Sequence, residues 1–502
     1  MLNRFYEILP GSLAWATLIG MVVFSWVLPT AVSVFIILFD IYWLLKTVYL
    51  SLHLRSTFSE MKQNMATDWL SRLKKEKTGW ENIEHLIIFP MYKEPYEVVK
   101  ESFESLTHAN YPKEKMMVVL AIEELAGDFA KDVAEKTKKD FEKRFGAFLI
   151  TVHPKDLPGE IPGKGGNETW AAKEAKKILI DGKLEPQNVL VSSFDVDTQI
   201  FSEYFGKLTY TFLSEENKLR AIYQPIPFFT NNVYDSPAIA RVISFSSTFW
   251  QMMQQSRPER LTSFSSQSIP LSALMDVGFW HTDMVSEDSR IFWQGYLAYH
   301  GDFRVVPLHY PVSMDANVAH TLWGTMKNLY KQQRRWGWGC ENIPYMLGGF
   351  RKDPKIPAAK KRYWTFQVLE GFHSWATNSI MIFALGWLPV YLGGKTFNLS
   401  LLSHSLPDIT RLIIQISMLG IASSAILGIM LLPPKPVWFK PYHYALYVLQ
   451  WALIPVSLII FGAIPGLEAQ TRLMLGGKFR LGFWVTPKSR KGVGGERKGS
   501  PV

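Results

Sequence analysis

The sequence predicts a mostly parallel α/β domain carried between α-helical membrane segments. Three observations predict it. Charge-free apolar runs are confined to the two ends of the chain, short β-rich runs alternate with amphipathic stretches between them, and charge is scarce overall. Apolar residues make up 48% of the 502 residues, aromatic residues 14% and charged residues only 20%, a more apolar mix than an ordinary soluble protein of this length carries. The apolar residues are clustered, so a bilayer accounts for them better than one large core does. The single cysteine, Cys340, excludes an internal disulfide framework. The net charge of +10 would suit a nucleic acid, but lysines and arginines flanking membrane spans account for it more simply. No nucleic-acid partner is expected.

In the N-terminal segment 1–52, no charged residue lies between Ile8 and Phe39. A span needs about 20 apolar residues, so Pro29 is read as the break between two helices, at about 11–28 and 30–48. Asp40 and Lys46 are placed at the membrane surface. The alternative is a position inside the bilayer facing protein, where charge marks function. The run lacks the basic start and small-residue cleavage site of a signal peptide.

Residues 53–363 have the character of a soluble domain. His85–Met91, Met116–Ile122, Phe148–Val152 and Asn188–Phe194 read as strands, and the segments near 95–108, 127–145 and 169–181 as intervening helices. Such alternation implies a mostly parallel sheet covered on both faces, with ligands at the carboxyl ends of its strands. Within 364–470 three more charge-free runs follow, at 371–394, 412–434 and 444–467. The connection 435–443 carries Lys435 and Lys440, whereas 395–410 has one lysine, which puts 435–443 in the cytosol. The tail 471–502 is basic and glycine-rich, and its last dozen residues are expected to be disordered.

Three polar strings interrupt the apolar pattern. Asp195-Val196-Asp197 closes the fourth strand, where carboxylates two residues apart share one face and suit a divalent cation; a surface turn is the plainer alternative. Glu287-Asp288 precedes a helix-like apolar run, where acids cap a helix start or one of them serves as a general base. Gln332-Gln333-Arg334-Arg335-Trp336 offers an amide, a fixed cation for phosphate and a flat stacking surface, or simply a basic, solvated helix face.

In this order the three strings resemble the D-x-D, (T)ED and Q-x-x-R-W motifs of processive family-2 glycosyltransferases, the group holding bacterial cellulose, chitin and hyaluronan synthases. Pro90-Met91-Tyr92-Lys93-Glu94 is similar to the family's opening P-x-Y-x-E element, and Lys164-Gly165-Gly166-Asn167 to its basic nucleotide loop. Phe483-Trp484-Val485-Thr486-Pro487-Lys488 resembles the F-x-V-T-x-K gating loop. The resemblance spans about 85–488. It implies a cytosolic domain of GT-A type, with a Rossmann-like mixed sheet, beside the α-helical transmembrane region. It also implies an inverting transfer of a sugar from a nucleotide-diphosphate donor, UDP preferred to GDP, to a growing polysaccharide at the membrane. Coupling to export, through an unidentified partner or the chain's own helices, is a further expectation. The alternatives are a single transfer to a lipid acceptor and a non-catalytic transporter or scaffold.

The same resemblance implies roles for single residues. Glu94 and Glu123 would line the nucleoside site, and Lys164 and Asp195 would contact the nucleotide. Asp197, with Asp195, would hold Mg2+ or Mn2+. Asp288, beside Glu287, would deprotonate the acceptor hydroxyl. Gln332, Arg335 and Trp336 would grip the diphosphate and the acceptor end, and Thr486 and Lys488 would close over the nucleotide. Two departures stand out: Glu123-Glu124 replaces the usual aspartates, which leaves the nucleotide open, and Ser286 replaces the commoner threonine. Three spans between the domain and the gating loop would put the two on opposite sides. Tyr444–Leu467, broken by Pro455 and Pro465, is therefore expected to be the run that does not cross.

Overall fold

The computed structural model describes residues 2–482. Its strands are β1 (Glu84–Met91), β2 (Met116–Glu123), β3 (Ala147–His153), β4 (Val189–Ser193), β5 (Gln199–Ile200), β6 (Ala221–Phe228), β7 (Ser268–Pro270) and β8 (Arg304–Ser313). They form one sheet in the order β3-β2-β1-β4-β7-β6-β8-β5. Every residue of β2 is buried, which is why it reads as an unbroken apolar run: a parallel strand covered on both faces has no polar side. The β3-β2-β1-β4 half is parallel, with Leu86 opposite both Met117 and Val191. Beyond β4 the expected parallel order ends. β7 pairs antiparallel with β4 and β6, β8 runs parallel to β6, and β5 is an antiparallel edge. Prolines at 225, 227, 307 and 311 disturb that half, and its β6–β8 register slips between Gln224 and Ile226. The sheet is thus the mixed kind, curled past a parallel half.

Helices Tyr96–Thr107, Asp128–Phe141 and Lys164–Ala175 connect the parallel strands. The apolar faces of the first two join a core in which Phe89 lies 5.2 Å from Phe103 and 5.7 Å from Phe194, ring centre to ring centre. The third helix starts earlier than the expected 169 and closes in a π-helical turn, Lys176–Ile180.

The chain divides into two compact units. The sheet lies in one, Met61–Ser244 with Leu261–Leu329; the other is helical and comprises Met1–Glu60, Phe245–Arg260 and Tyr330–Gly482. Residues 245–260 and 330–363, grouped by sequence with the soluble domain, therefore belong to the helical unit.

Among the described residues four helices are long and apolar enough to cross a membrane: Asn3–Val27, Pro29–Met65, Leu401–Met430 and Pro441–Leu475. Pro29 starts the second helix, where its fixed φ suits a first turn, and that helix runs well beyond the expected 48. The run 371–394 is not among the four. There the helix Ala358–Ile380 gives way to a π-helical turn, Met381–Leu385, and two five-residue helices, Leu388–Leu392 and Gly394–Asn398. Non-helical residues at Gly386-Trp387 and Gly393 break this run, whereas Tyr444–Leu467 carries a 3-10 turn (Gln450–Leu453) and a π-helical turn (Ile459–Ala463) but stays helical inside Pro441–Leu475. Asp40 is buried and Lys46 pairs with Glu370 at 3.1 Å, so both face protein. Helix Leu2–Val27 is tied to the last long helix by Arg4 donating to the Leu473 carbonyl (3.1 Å) and Trp15 to Thr471 (2.9 Å).

Candidate active site

Lys164 opens its helix, and its ammonium gathers the acids of the sheet unit. Nζ lies 2.9 Å from Asp195 Oδ1, 3.0 Å from Asp288 Oδ1 and 3.2 Å from Glu168 Oε1. It also reaches Asp288 Oδ2 at 3.3 Å, so both oxygens of that carboxylate are engaged. Burial alone would pull the lysine's pKa down; the charges of Asp195 and Asp288, then Glu168 and Glu287, override it and hold the pKa well above its usual value. Gly165 permits this approach. A Cβ there would lie 2.5 Å from the His281 carbonyl oxygen and 3.2 Å from Glu287 Cβ.

Glu168 is fully buried one helical turn from Lys164 and accepts a hydrogen bond from Ser193 Oγ. Burial pushes its pKa up to about 7, against the pull of Lys164. Glu287 is buried too, and its pKa is driven well up by burial and then by the neighbouring charge of Asp288. Glu168, Glu287 and Asp288 each bring one oxygen within 4.8 Å of the others. Carboxylate oxygens of this kind are the donor set that Mg2+ or Mn2+ takes, so the residues fit a divalent cation chemically.

The two aspartates of Asp195-Val196-Asp197 do not share a strand face as the pleat would have it. β4 ends at Ser193, and the Thr198 amide donates to the Asp195 carbonyl at 2.8 Å, closing a turn. Asp195 turns toward Lys164 and accepts from Ser265 Oγ at 2.9 Å. Asp197 is fully buried, with Oδ2 accepting from the Asp315 amide at 3.0 Å.

Glu287 and Asp288 occupy the first turn of helix Glu287–Ala298, where their charge suits the helix dipole. The segment before β7 braces them. Ser263 Oγ and Gln267 Nε2 donate to the Asp288 carbonyl (2.6 and 3.2 Å), and the Gln267 carbonyl accepts from the Ser193 amide (3.0 Å). These braces, like Glu168, were absent from the sequence-based candidates. The i, i+4 spacing of Lys164 and Glu168 was the one signal available for Glu168; a serine run carries no such period.

A second acidic group lies at the ends of β1 and β2. Glu123 is 8% exposed, and its pKa is pushed up to about 7 by burial and then by the charge of Glu94. Glu94 folds back to accept from the Tyr92 amide at 2.8 Å. Glu123 also lines an open cleft with Leu125, His153, Lys155, Glu160 and Ile161, in which His153 pairs with Glu160 at 2.9 Å.

Gln332, Arg335 and Trp336 lie near the end of helix Leu322–Gly337, in the part that belongs to the helical unit, and all three are half-buried. Within that unit Glu468 accepts from Tyr330 (2.7 Å), Arg334 (2.8 Å) and Arg472 (2.7 Å). Gly337 packs so closely that a Cβ on it would stand 3.2 Å from the Gly466 Cα. Thr486 and Lys488, with the rest of Phe483–Lys488, lie outside the described residues.

The sequence matches the profile described as Glycosyl transferase family group 2 over residues 190–463, more than half of the chain. No curated protein matches it. Distant likenesses exist among solved structures. One is the mannosyltransferase PcManGT from Pyrobaculum calidifontis, in complex with GDP-Man and Mn2+, at 12% identity over 81% of this chain and 99% of that one, with a TM-score of 0.39. Others are S. aureus TarS 1–349, at 12% identity over 79% and 93% with a TM-score of 0.37, and its complex with UDP-GlcNAc, at 13% over 68% and 90% with a TM-score of 0.37.

Proposed function

The chain belongs to glycosyl transferase family group 2, and from that premise we propose that this nucleotide-sugar-dependent glycosyltransferase is an inverting enzyme elongating a polysaccharide at the membrane, with its sheet unit in the cytosol. The observation that carries the proposal is the meeting of Asp195 and Asp288, distant in sequence, on one ammonium at 2.9 and 3.0 Å.

Sugar transfer from a nucleotide diphosphate poses three problems: the charge of the leaving diphosphate, the proton of the attacking hydroxyl, and the alignment of both reactants. Asp195 and Asp197 would hold Mg2+ or Mn2+, which when bound neutralises diphosphate charge. Lys164 adds a cation at the same place. Asp288 accepts the proton of the acceptor hydroxyl as it attacks the sugar carbon. One base and one displacement, with no carboxylate nucleophile, give inversion. Burial, and then the charge of Asp288, push the Glu287 pKa well up, and Asp288 is the more exposed carboxylate of the pair. Glu94 and Glu123 take the nucleoside side, with UDP preferred. Gln332, Arg335 and Trp336 take the diphosphate and the end of the acceptor, and Thr486 and Lys488 close over the nucleotide. Four long apolar helices support the membrane assignment.

The test is a screen of labelled UDP- and GDP-sugars with membranes containing the protein, with Mg2+ or Mn2+. Incorporation from a UDP-sugar into high-molecular-mass, glycosidase-sensitive product is expected. A product carrying one sugar on a lipid replaces the polysaccharide acceptor with a lipid one, and no incorporation from any donor overturns the proposal.

A further inference from the structure

The ammonium of Lys164 occupies the place where the charges of this pocket converge. Its side chain is 11% exposed and is in contact with Asp195, Asp288 and Glu168 together. Two consequences follow from the geometry. A divalent cation seeking Asp195 Oδ1 meets an ammonium already 2.9 Å from that oxygen, so the two cations compete. An acceptor hydroxyl seeking Asp288 finds both carboxylate oxygens engaged. A diphosphate changes the balance, because its negative charge draws the ammonium off the carboxylates.

Glu168 is suited to keep the lysine in place during that exchange. It is fully buried on the same helix, one turn away, and Ser193 Oγ fixes one of its oxygens. Its other oxygen, Oε2, is buried without a hydrogen-bond partner beside Glu287 and Asp288. That leaves Glu168 spare acceptor capacity for an ammonium that lets go of the two aspartates.

We propose that Lys164 is the resident counter-ion of the pocket: it holds Asp195 and Asp288 until the donor diphosphate and its divalent cation arrive together, and Glu168 is the positioning residue that tethers it. Donor therefore precedes acceptor, because Asp288 is released only when Lys164 turns to the diphosphate. This rests on the donor reading above, but its test reads metal binding directly.

The experiment is Mn2+ titration by electron paramagnetic resonance on the full-length protein in detergent, with and without UDP or GDP. Lys164→Met is expected to tighten nucleotide-free Mn2+ binding at least about tenfold, whereas Lys164→Arg leaves it weak. Glu168→Gln is expected to weaken nucleoside diphosphate binding several-fold, with Glu168→Asp restoring most of it, a rescue that a purely structural role would not produce. Unchanged or weaker nucleotide-free Mn2+ binding in a folded Lys164→Met overturns the proposal, as does Mn2+ binding to no form at all. If Lys164→Met does not fold, wild type decides: Mn2+ bound equally tightly with and without nucleoside diphosphate overturns it. Sugar transfer with unchanged metal affinity sinks this inference alone. Metal affinity that responds to Lys164 without transfer from any donor sinks the functional reading alone.

Discussion

Asp288 and Glu287 are adjacent, yet their surroundings separate their chemistry. Asp288 is a quarter exposed and salt-bridged, whereas Glu287 is buried and its pKa is driven up. A sugar hydroxyl has a pKa far above neutrality, so its proton must leave as it attacks, and a placed carboxylate is worth about 10² to 10⁴ in rate. Asp288→Asn keeps the size and the contact with Lys164 but accepts no proton, so kcat is expected to fall by that factor; Glu287→Gln is expected to cost less. Retention of more than about a tenth of wild-type kcat in folded Asp288→Asn would refute the assignment. Glu123 makes a prediction of the opposite kind. Its pKa stands near 7 against a usual 4.5, so between those values the folded chain holds a proton that the unfolded chain has released, and stability declines as pH rises through the window. Glu123→Gln, which does not titrate, is expected to melt like wild type near pH 4.5. At pH 8 it should be more stable by up to about 3 kcal/mol, while binding donor more weakly if Glu123 meets the nucleoside. A stability difference that does not grow with pH would remove the account.

Helix Leu322–Gly337 shows what one element contributes. Its last turns carry Gln332, Arg335 and Trp336, and Glu468 anchors the same stretch through Tyr330 and Arg334. If the Trp336 ring stacks on the acceptor sugar, Trp336→Ala should cut elongation at least tenfold with nucleotide affinity nearly intact, measured by product length and by nucleotide titration. Glu468→Gln should give a milder loss of the same kind. Combined with Trp336→Ala it should add less than its single effect, because both act through one helix. Strictly additive losses would separate Glu468 from the motif. Elements of this sort were partly legible in advance. Unbroken apolar runs such as Met116–Ile122 announce buried parallel strands, and their carboxyl ends locate Glu94, Glu123 and Asp195. The antiparallel half was not legible: β7 is three residues long inside a serine run, and prolines break the period of β6 and β8. Asp195 and Asp197 diverge because a turn begins two residues after β4 stops, and no two-residue spacing reveals where a strand stops. Glu168 was hidden because a buried carboxylate looks, in sequence, like any helix glutamate.

At the scale of the whole molecule the question is on which side of the membrane the tail lies. The closing role proposed for Thr486 and Lys488 requires the same side as the sheet unit, and hence an even number of crossings between them. Counting charge-free runs gives three, because 371–394 has the length and apolarity of a span. The fold removes it from the count: between the sheet unit and residue 483 only Leu401–Met430 and Pro441–Leu475 are long and apolar enough among the described residues. Two crossings return the chain to its starting side, and Lys435 and Lys440, which lie between those two helices, then face the side opposite the sheet unit. That conflicts with positive-inside logic, so the two arguments make opposite forecasts. Two lysines in one short loop are a statistical bias, whereas an enclosed site needs its closing residues on its own side. The same-side arrangement is therefore the expectation. Cys340 is the one native cysteine and is buried, so a Cys340→Ser background is clean for labelling. Ser71→Cys and Ser489→Cys in that background should react with a membrane-impermeant maleimide from the same face of sealed vesicles. Reaction from opposite faces would leave an odd number of crossings, remove Thr486 and Lys488 from the site, and restore 371–394 as a third span.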